Sequence, residues 1–260
     1  SGETYSCYTA SGDQYCCCSW VPQYHDAGLI GMHVVPMILG AQSVYMSPLT
    51  FLSNPELWMV CAARYRCQLT FAPDFGYKLV VRRSRQTANA LRSEHLRLES
   101  LQLCNSGGER VRPDTWTQFY DIFHAEFGFD AQLIPVLGMA ESVLQVCSVT
   151  RGLPNRRQLL VSTSRPHLAC VGNEFVGIIK IVDSQTRSQL PTGLLGEIWV
   201  SSESVASGYW GQPELSAATF RASLEPDDGE TYLRTGDEGY FEKGTTELYV
   251  CGRLKDLIIV

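Results

Sequence analysis

Residues 101–138 read LQLCNSGGERVRPDTWTQFYDIFHAEFGFDAQLIPVLG. Within them Trp116, Phe119, Tyr120, Phe123 and Phe127 recur at helical intervals, so the spacing predicts an amphipathic helix over 114–127 that stops at Gly128. An aromatic stripe of this period reads as a face packed into a core rather than as a ligand groove. The apolar stretches 101–105 and 131–137 on either side read as strands. Strand, helix, strand is the repeating unit of an α/β sheet. The same alternation runs upstream, with strands expected at 15–20, 42–46 and 68–72 and a helix at 54–66. In that helix Asn54 can cap, Pro55 suits the first turn, and Trp58, Cys61, Ala62 and Tyr65 share one face. The first part of the chain is therefore expected to be an α/β layer with crossover helices.

The texture changes near residue 150. TRGLPNRRQ (150–158) is a polar loop, and the chain beyond it is rich in short β segments at 176–182, 196–201, 231–234 and 247–251, interrupted by one helix at 213–221. The expected division is an α/β subdomain over 1–150, a mostly β subdomain over 151–252, and a final piece at 253–260. No internal repeat is visible.

Composition narrows the class. The chain has 260 residues, 45% hydrophobic and 18% charged, which excludes a disordered or fibrous protein and suffices for a full core. Lys plus Arg is 21 against Asp plus Glu at 27, a net charge of −6, which argues against nucleic acid as a partner. The longest apolar run, Gly28 to Ala41, is broken by His33 and Pro36 and is too short for a membrane span. Ten cysteines without a C-x-x-C pair read as reduced, buried thiols. With no leader-like start, they point to a cytoplasmic location.

Four segments carry chemistry. In YLRTGDEGY (232–240), Thr235, Gly236 and Asp237 form a tight turn after a strand, and a carboxylate there can accept two hydrogen bonds from a ribose diol. An Asx turn between strands is the plainer alternative. In PVLGMAESV (135–143), Glu141 follows a strand and can hold Mg²⁺ against a triphosphate, or can simply be the acidic first turn of a helix. NSGGERV (105–111) is a glycine pair whose bare backbone lets a flat ring approach. CGRLKDLIIV (251–260) sets Arg253, Lys255 and Asp256 between two apolar pieces.

In order along the chain stand WVPQYHDAGLIG, SGGERV, LGMAESV, GEIWVSSESVASGYWGQPELSAATF, YLRTGDEGY and GRLKDLIIV. Over residues 15–260 this set resembles the adenylate-forming superfamily of acyl and aryl ligases and adenylation domains. Through YHDAGLIG, MSPLTFLSNPELW, PDFGYKLVVRR and SGGERV it is most similar to the fatty acyl-AMP ligases and the related domains of Disco-interacting protein 2.

The resemblance implies the central part of an adenylate-forming N-terminal core, an α/β subdomain followed by a mostly β, distorted-barrel one. It implies ATP and Mg²⁺ as cofactors, with Gly107, Gly108 and Glu109 lining the adenine pocket beside Leu137 and Gly138. Glu141 would be the catalytic metal ligand, Asp237 would grip the ribose, and Arg253 would reach it from the hinge formed by Lys255 and Asp256. His25 would be catalytic and, with Asp26 and Gly28, would face the substrate, while 28–40 and 71–79 would wall an acyl tunnel.

The implied reaction converts a fatty carboxylate and ATP to acyl-AMP and pyrophosphate, then passes the acyl group to the phosphopantetheine thiol of an acyl carrier protein. Transfer to coenzyme A, or a non-catalytic lipid- or protein-binding domain, are the alternatives. Two departures stand out. Leu137 occupies the place of an adenine-stacking aromatic. The family's phosphate loop should precede residue 15, where SGETYSCYTASGDQ does not match it, and a C-terminal domain with its lysine would follow Val260. These 260 residues by themselves are therefore expected not to form acyl-AMP.

Overall fold

The computed structural model describes residues 15–149 and 156–256. Residues 1–14, 150–155 and 257–260 lie outside the described residues, and with them the opening segment, most of the polar 150–158 loop and the end of the expected hinge. Strand β1 (Cys16–Ser19) is buried along its whole length, as expected of a strand covered on both faces. It pairs in parallel with β2 (Gln42–Tyr45) on one side and β3 (Leu69–Phe71) on the other. Strand β4 (Leu103–Ser106) pairs in parallel with β3, and β5 (Gln132–Gly138) comes next in the sheet order. Consecutive cysteines thus fill both faces of a central strand. Burial pushes the Cys17 thiol up to about 11, which leaves it protonated and unreactive.

Helices connect these strands. A π-helical segment (Ala27–Val34) runs into α1 (Val35–Ile38); α2 (Pro48–Ser53) and α3 (Glu56–Arg64) precede β3. The helix expected over 54–66 is shorter because Asn54 ends α2 instead of starting α3. The Ser47 hydroxyl accepts from Thr50 N at 3.0 Å and so opens α2 earlier. Of the four residues expected on one face, Trp58 and Ala62 are buried, Cys61 is half-buried, and Tyr65 is exposed beyond the helix end. Helices α4 (Asp74–Arg82) and α5 (Ser84–Ser93) come after β3.

Helix α6 (Pro113–Phe127) matches the aromatic stripe. Trp116, Phe119, Tyr120, Phe123 and Phe127 are all buried, and Gly128 closes the helix in the left-handed region at φ 70°. No helix among the described residues is long and apolar enough to cross a membrane.

The chain divides into two compact units. The described residues through Ile134, with 156–159, form the first, and 135–149 with 160–256 form the second. The division falls inside β5 rather than at residue 150. The start of β5 lies by β4, with Gln132 N donating to Gln102 O at 2.9 Å, whereas its end pairs antiparallel with β6 (Gln145–Ser148). Strand β7 (Glu174–Phe175) extends that antiparallel run.

The rest of the second unit is a four-stranded antiparallel sheet in the order β11-β10-β9-β8, from β8 (Ile178–Val182), β9 (Gly196–Ser201), β10 (Leu233–Phe241) and β11 (Leu248–Arg253), with α7 (Pro213–Phe220) between β9 and β10. Its core gathers Val146, Cys147, Ile181, Ile198, Val200 and Leu248.

Candidate functional site

In the first unit the HDAG stretch forms a helix entrance. The Asp26 carboxylate caps the π-helical segment by accepting from Ala27 N at 2.7 Å, and His25 Nδ1 lies 2.5 Å from Asp26 Oδ1. The His25 ring is more than half exposed, and Gly28 is buried in the first turn. A π-helical run is uncommon and often marks a functional site.

At the end of β4, Gly107 is buried and Gly108 is exposed. Just before them Asn105 Oδ1 and Ser106 Oγ are buried without a hydrogen-bond partner among the described residues, an unmet demand of the kind a polar ligand or water supplies. Two carboxylates clasp the loop beyond them. Glu109 Oε1 accepts from Phe75 N, in the first turn of α4, at 2.6 Å. Asp74, in the same turn, accepts from Arg112 N at 2.8 Å and from the Thr115 hydroxyl at 3.2 Å, at the start of α6. Each anion thus sits at a helix N-terminus, where the backbone dipoles favour it.

Burial pushes the Asp74 carboxyl up, and its two donors pull it back. Asp74→Ala leaves the Arg112 amide and the Thr115 hydroxyl unpaired and is expected to lower unfolding free energy by about 1–2 kcal/mol, whereas Asp74→Asn retains an acceptor and loses less. Urea unfolding of the two variants checks this order; equal losses would contradict it.

In the second unit, β5 ends at Gly138, and a 3₁₀ turn (Ala140–Ser142) carries Glu141. The chain turns back at once. Leu144 N donates to Ser142 O at 2.7 Å around Val143, whose φ of 64° and ψ of −59° form a γ-turn of the strained hand. A side chain at Gly138 would meet Leu144 O at 2.3 Å, so this return needs glycine there. Leu137 points into the core of its unit beside Val146 and Cys147.

The half-buried Glu141 side chain accepts from the Tyr209 hydroxyl at 2.7 Å through Oε1. Burial, then the Glu141 carboxylate, pushes Tyr209 up to about 12, so it stays a donor. No bond to Glu141 Oε2 is seen among the described residues, which leaves one oxygen for a hard cation. Two further bonds tie the same segments together: Ser142 Oγ to Ser204 Oγ at 2.7 Å and Ala206 N to Glu141 O at 2.8 Å.

Asp237 stands neither in a tight turn after a strand, as the sequence suggested, nor in an Asx turn between strands, the plainer alternative. It lies within β10, where pairing with β9 shifts register between Arg234 and Glu238. The intervening residues bulge, Gly236 takes φ 72°, and Thr235 Oγ1 both donates to Ile198 O at 2.7 Å and accepts from Asp237 N at 3.0 Å. The bulge is anchored by Arg234, which donates twice to the buried Glu197, at 3.0 and 2.8 Å to Oε2.

Across the β10–β11 pair Asp237 is the register partner of Arg253, and Arg253 Nε lies 3.3 Å from Asp237 Oδ1. The Asp237 side chain is 10% exposed and that of Arg253 68%. Exposed Lys255 comes next, in a 3₁₀ turn (Leu254–Asp256).

The sequence paired none of these carboxylates with its holder. Tyr209 lies inside the GYWGQPELSAATF block, but no local spacing ties it to Glu141. Asp74 lies in PDFGYKLVVRR with no sign that it reaches Arg112.

The AMP-binding enzyme family matches residues 3–210. The chain belongs to that family. The chain is 37% identical over 262 residues to the 4-hydroxyphenylalkanoate adenylyltransferase of Mycobacterium marinum, covering 93% of the chain and 41% of that relative. It is 34% identical over 268 residues to the medium-chain-fatty-acid–[acyl-carrier-protein] ligase of Teredinibacter turnerae, covering 93% and 40%. The structure of the fatty acid AMP ligase from Legionella pneumophila superposes with a TM-score of 0.82 at 34% identity, over 99% of this chain and 46% of that one. The chain thus spans about two-fifths of the length of these curated relatives. Its α/β part and its separate antiparallel sheet have the architecture expected from the motifs.

Proposed function

We propose that the protein activates a fatty or related carboxylate with ATP. The carboxylate oxygen attacks the α-phosphorus, the bond to the β-phosphate oxygen breaks, and acyl-AMP and pyrophosphate form. The attack brings anions together, so its barrier falls when charge is neutralised and the reactants are held in line. Mg²⁺, when bound, supplies that neutralisation. In this reading Glu141 holds the metal, Asp237 takes the ribose hydroxyls with Arg253 beside it, and Gly107, Gly108 and Glu109 border the adenine. His25, Asp26 and Gly28 face the acyl carboxylate, and Lys255 and Asp256 belong to the hinge.

The observation that carries the reading is Glu141, a carboxylate presented on a strained turn with one oxygen satisfied by Tyr209. The acyl class rests on the similarity to a fatty acid AMP ligase. We assign the second step to a carrier-protein phosphopantetheine thiol, whose sulfur attacks the acyl carbonyl as AMP leaves. Support comes from the similarity to an acyl-carrier-protein ligase.

The test is an assay of the intact protein with ATP, Mg²⁺ and fatty acids of graded length. Pyrophosphate release and hydroxylamine trapping that depend on the acid are the expected result; their absence for every acid would remove the activity. Supplying holo-carrier protein or coenzyme A as the sole acceptor then separates the two transfer steps.

A further inference from the structure

The Glu141 carboxylate is held from outside its own segment. Tyr209, 68 positions further on, reaches Oε1 at 2.7 Å. Tyr209 is itself held through its backbone and its ring. Its amide donates to Ser216 Oγ at 2.8 Å, Ser216 Oγ donates on to Gln212 O at 2.7 Å, and the Phe220 ring meets it edge-on at 4.9 Å between centroids. The backbone bond from Ala206 N to Glu141 O and the Ser142–Ser204 hydroxyl contact lock the two segments just before Tyr209 arrives.

A free glutamate rotates about three side-chain bonds and offers either oxygen. Here one oxygen is committed to a phenol on a rigid support.

We propose that Tyr209 is the positioning residue for the metal-holding carboxylate, fixing Glu141 so that Oε2 alone is presented to a divalent cation. The proposal rests on the reading of Glu141 as the metal ligand. Carboxylates that bind metals are commonly oriented by such a second hydrogen bond, and losing it typically weakens the metal 10–100-fold.

The experiment titrates Mn²⁺ into the intact protein in the presence of α,β-methylene-ATP and follows free Mn²⁺ by electron paramagnetic resonance. It uses the wild type, Tyr209→Phe, Ser216→Ala and Glu141→Gln. Tyr209→Phe keeps the ring and its contact with Phe220, so its melting temperature should stay near that of the wild type while Mn²⁺ binding weakens 10–100-fold. Ser216→Ala, which loosens Tyr209 without removing its hydroxyl, should weaken Mn²⁺ in the same direction by less. If Tyr209→Phe does not fold, Ser216→Ala alone decides, and unchanged Mn²⁺ affinity in it overturns the proposal.

In turnover, Tyr209→Phe should need 10–100-fold more Mg²⁺ to reach half its maximal rate, with the maximal rate restored at excess Mg²⁺. A purely structural defect would not be rescued in that way. Wild-type Mn²⁺ affinity in Tyr209→Phe, with affinity lost in Glu141→Gln, overturns the role of Tyr209 but leaves Glu141 as the ligand. Wild-type affinity in Glu141→Gln overturns both.

Discussion

Asp237→Ala is expected to lower acid-dependent ATP–pyrophosphate exchange by 10²-fold or more while leaving the protein folded. The carboxylate is 10% exposed and is presented by a bulge that Thr235 and the Arg234–Glu197 pair hold without its help. Its removal loses the ion pair to a guanidinium that is 68% exposed. With its guanidinium open to water the pair is screened and contributes little, roughly 0–1 kcal/mol. Stability should therefore change slightly.

Binding is another matter. A hydrogen bond from a ligand hydroxyl to an ionised carboxylate is worth about 1.5–3 kcal/mol, and the proposed role supplies two of them to the ribose. Losing both gives roughly 10²- to 10⁴-fold. Asp237→Asn keeps an acceptor but not the charge and should fall between. Isothermal titration with ATP, set beside thermal melts, separates the effects. ATP affinity unchanged in Asp237→Ala would remove the ribose assignment.

Trp116→Ala is expected to lower unfolding free energy by about 4 kcal/mol. Trp116 is 1% exposed on α6 and lies in a ring cluster with Tyr77, Phe119, Tyr120 and Phe129 at centroid separations of 5.7–6.3 Å. Cutting it back to a methyl removes those contacts and leaves a cavity that rigid aromatic neighbours on a helix cannot refill. It also strands the Arg156 carbonyl, which accepts from Trp116 Nε1 at 2.8 Å. Trp116→Phe isolates that bond and should lose about 1–2 kcal/mol from it and the smaller ring. Urea unfolding followed by circular dichroism distinguishes the two, and a loss below about 1.5 kcal/mol for the alanine variant would contradict a core role.

How far the sequence could be read depends on how local each feature is. Helix α6 was legible nearly to the residue because its aromatic period, Pro113 and Gly128 all act within a few positions of one another. Most strands were legible as apolar runs bounded by turn residues, but the short β6 and β7 were not expected, and β10 was expected only in part. The expected segment 231–234 continues to Phe241 because a bulge keeps the chain in the sheet, and no apolar alternation announces a bulge. The helix expected to start at Asn54 starts at Glu56, because Asn54 closes the preceding helix that Ser47 opens.

The sequence by itself determined the α/β layer followed by antiparallel strands, the family, and the chemical identity of the carboxylates at 141 and 237. Those depend on local periodicity and on the order of short motifs, which survive in one dimension. Only the tertiary structure decided what holds each carboxylate: Tyr209 on Glu141, Arg253 and a bulge on Asp237, and the start of α4 on Glu109. Hydrogen bonds are short and directional, so a buried carboxylate is satisfied by whichever donor packing brings within about 3 Å. Distance along the chain does not enter that choice.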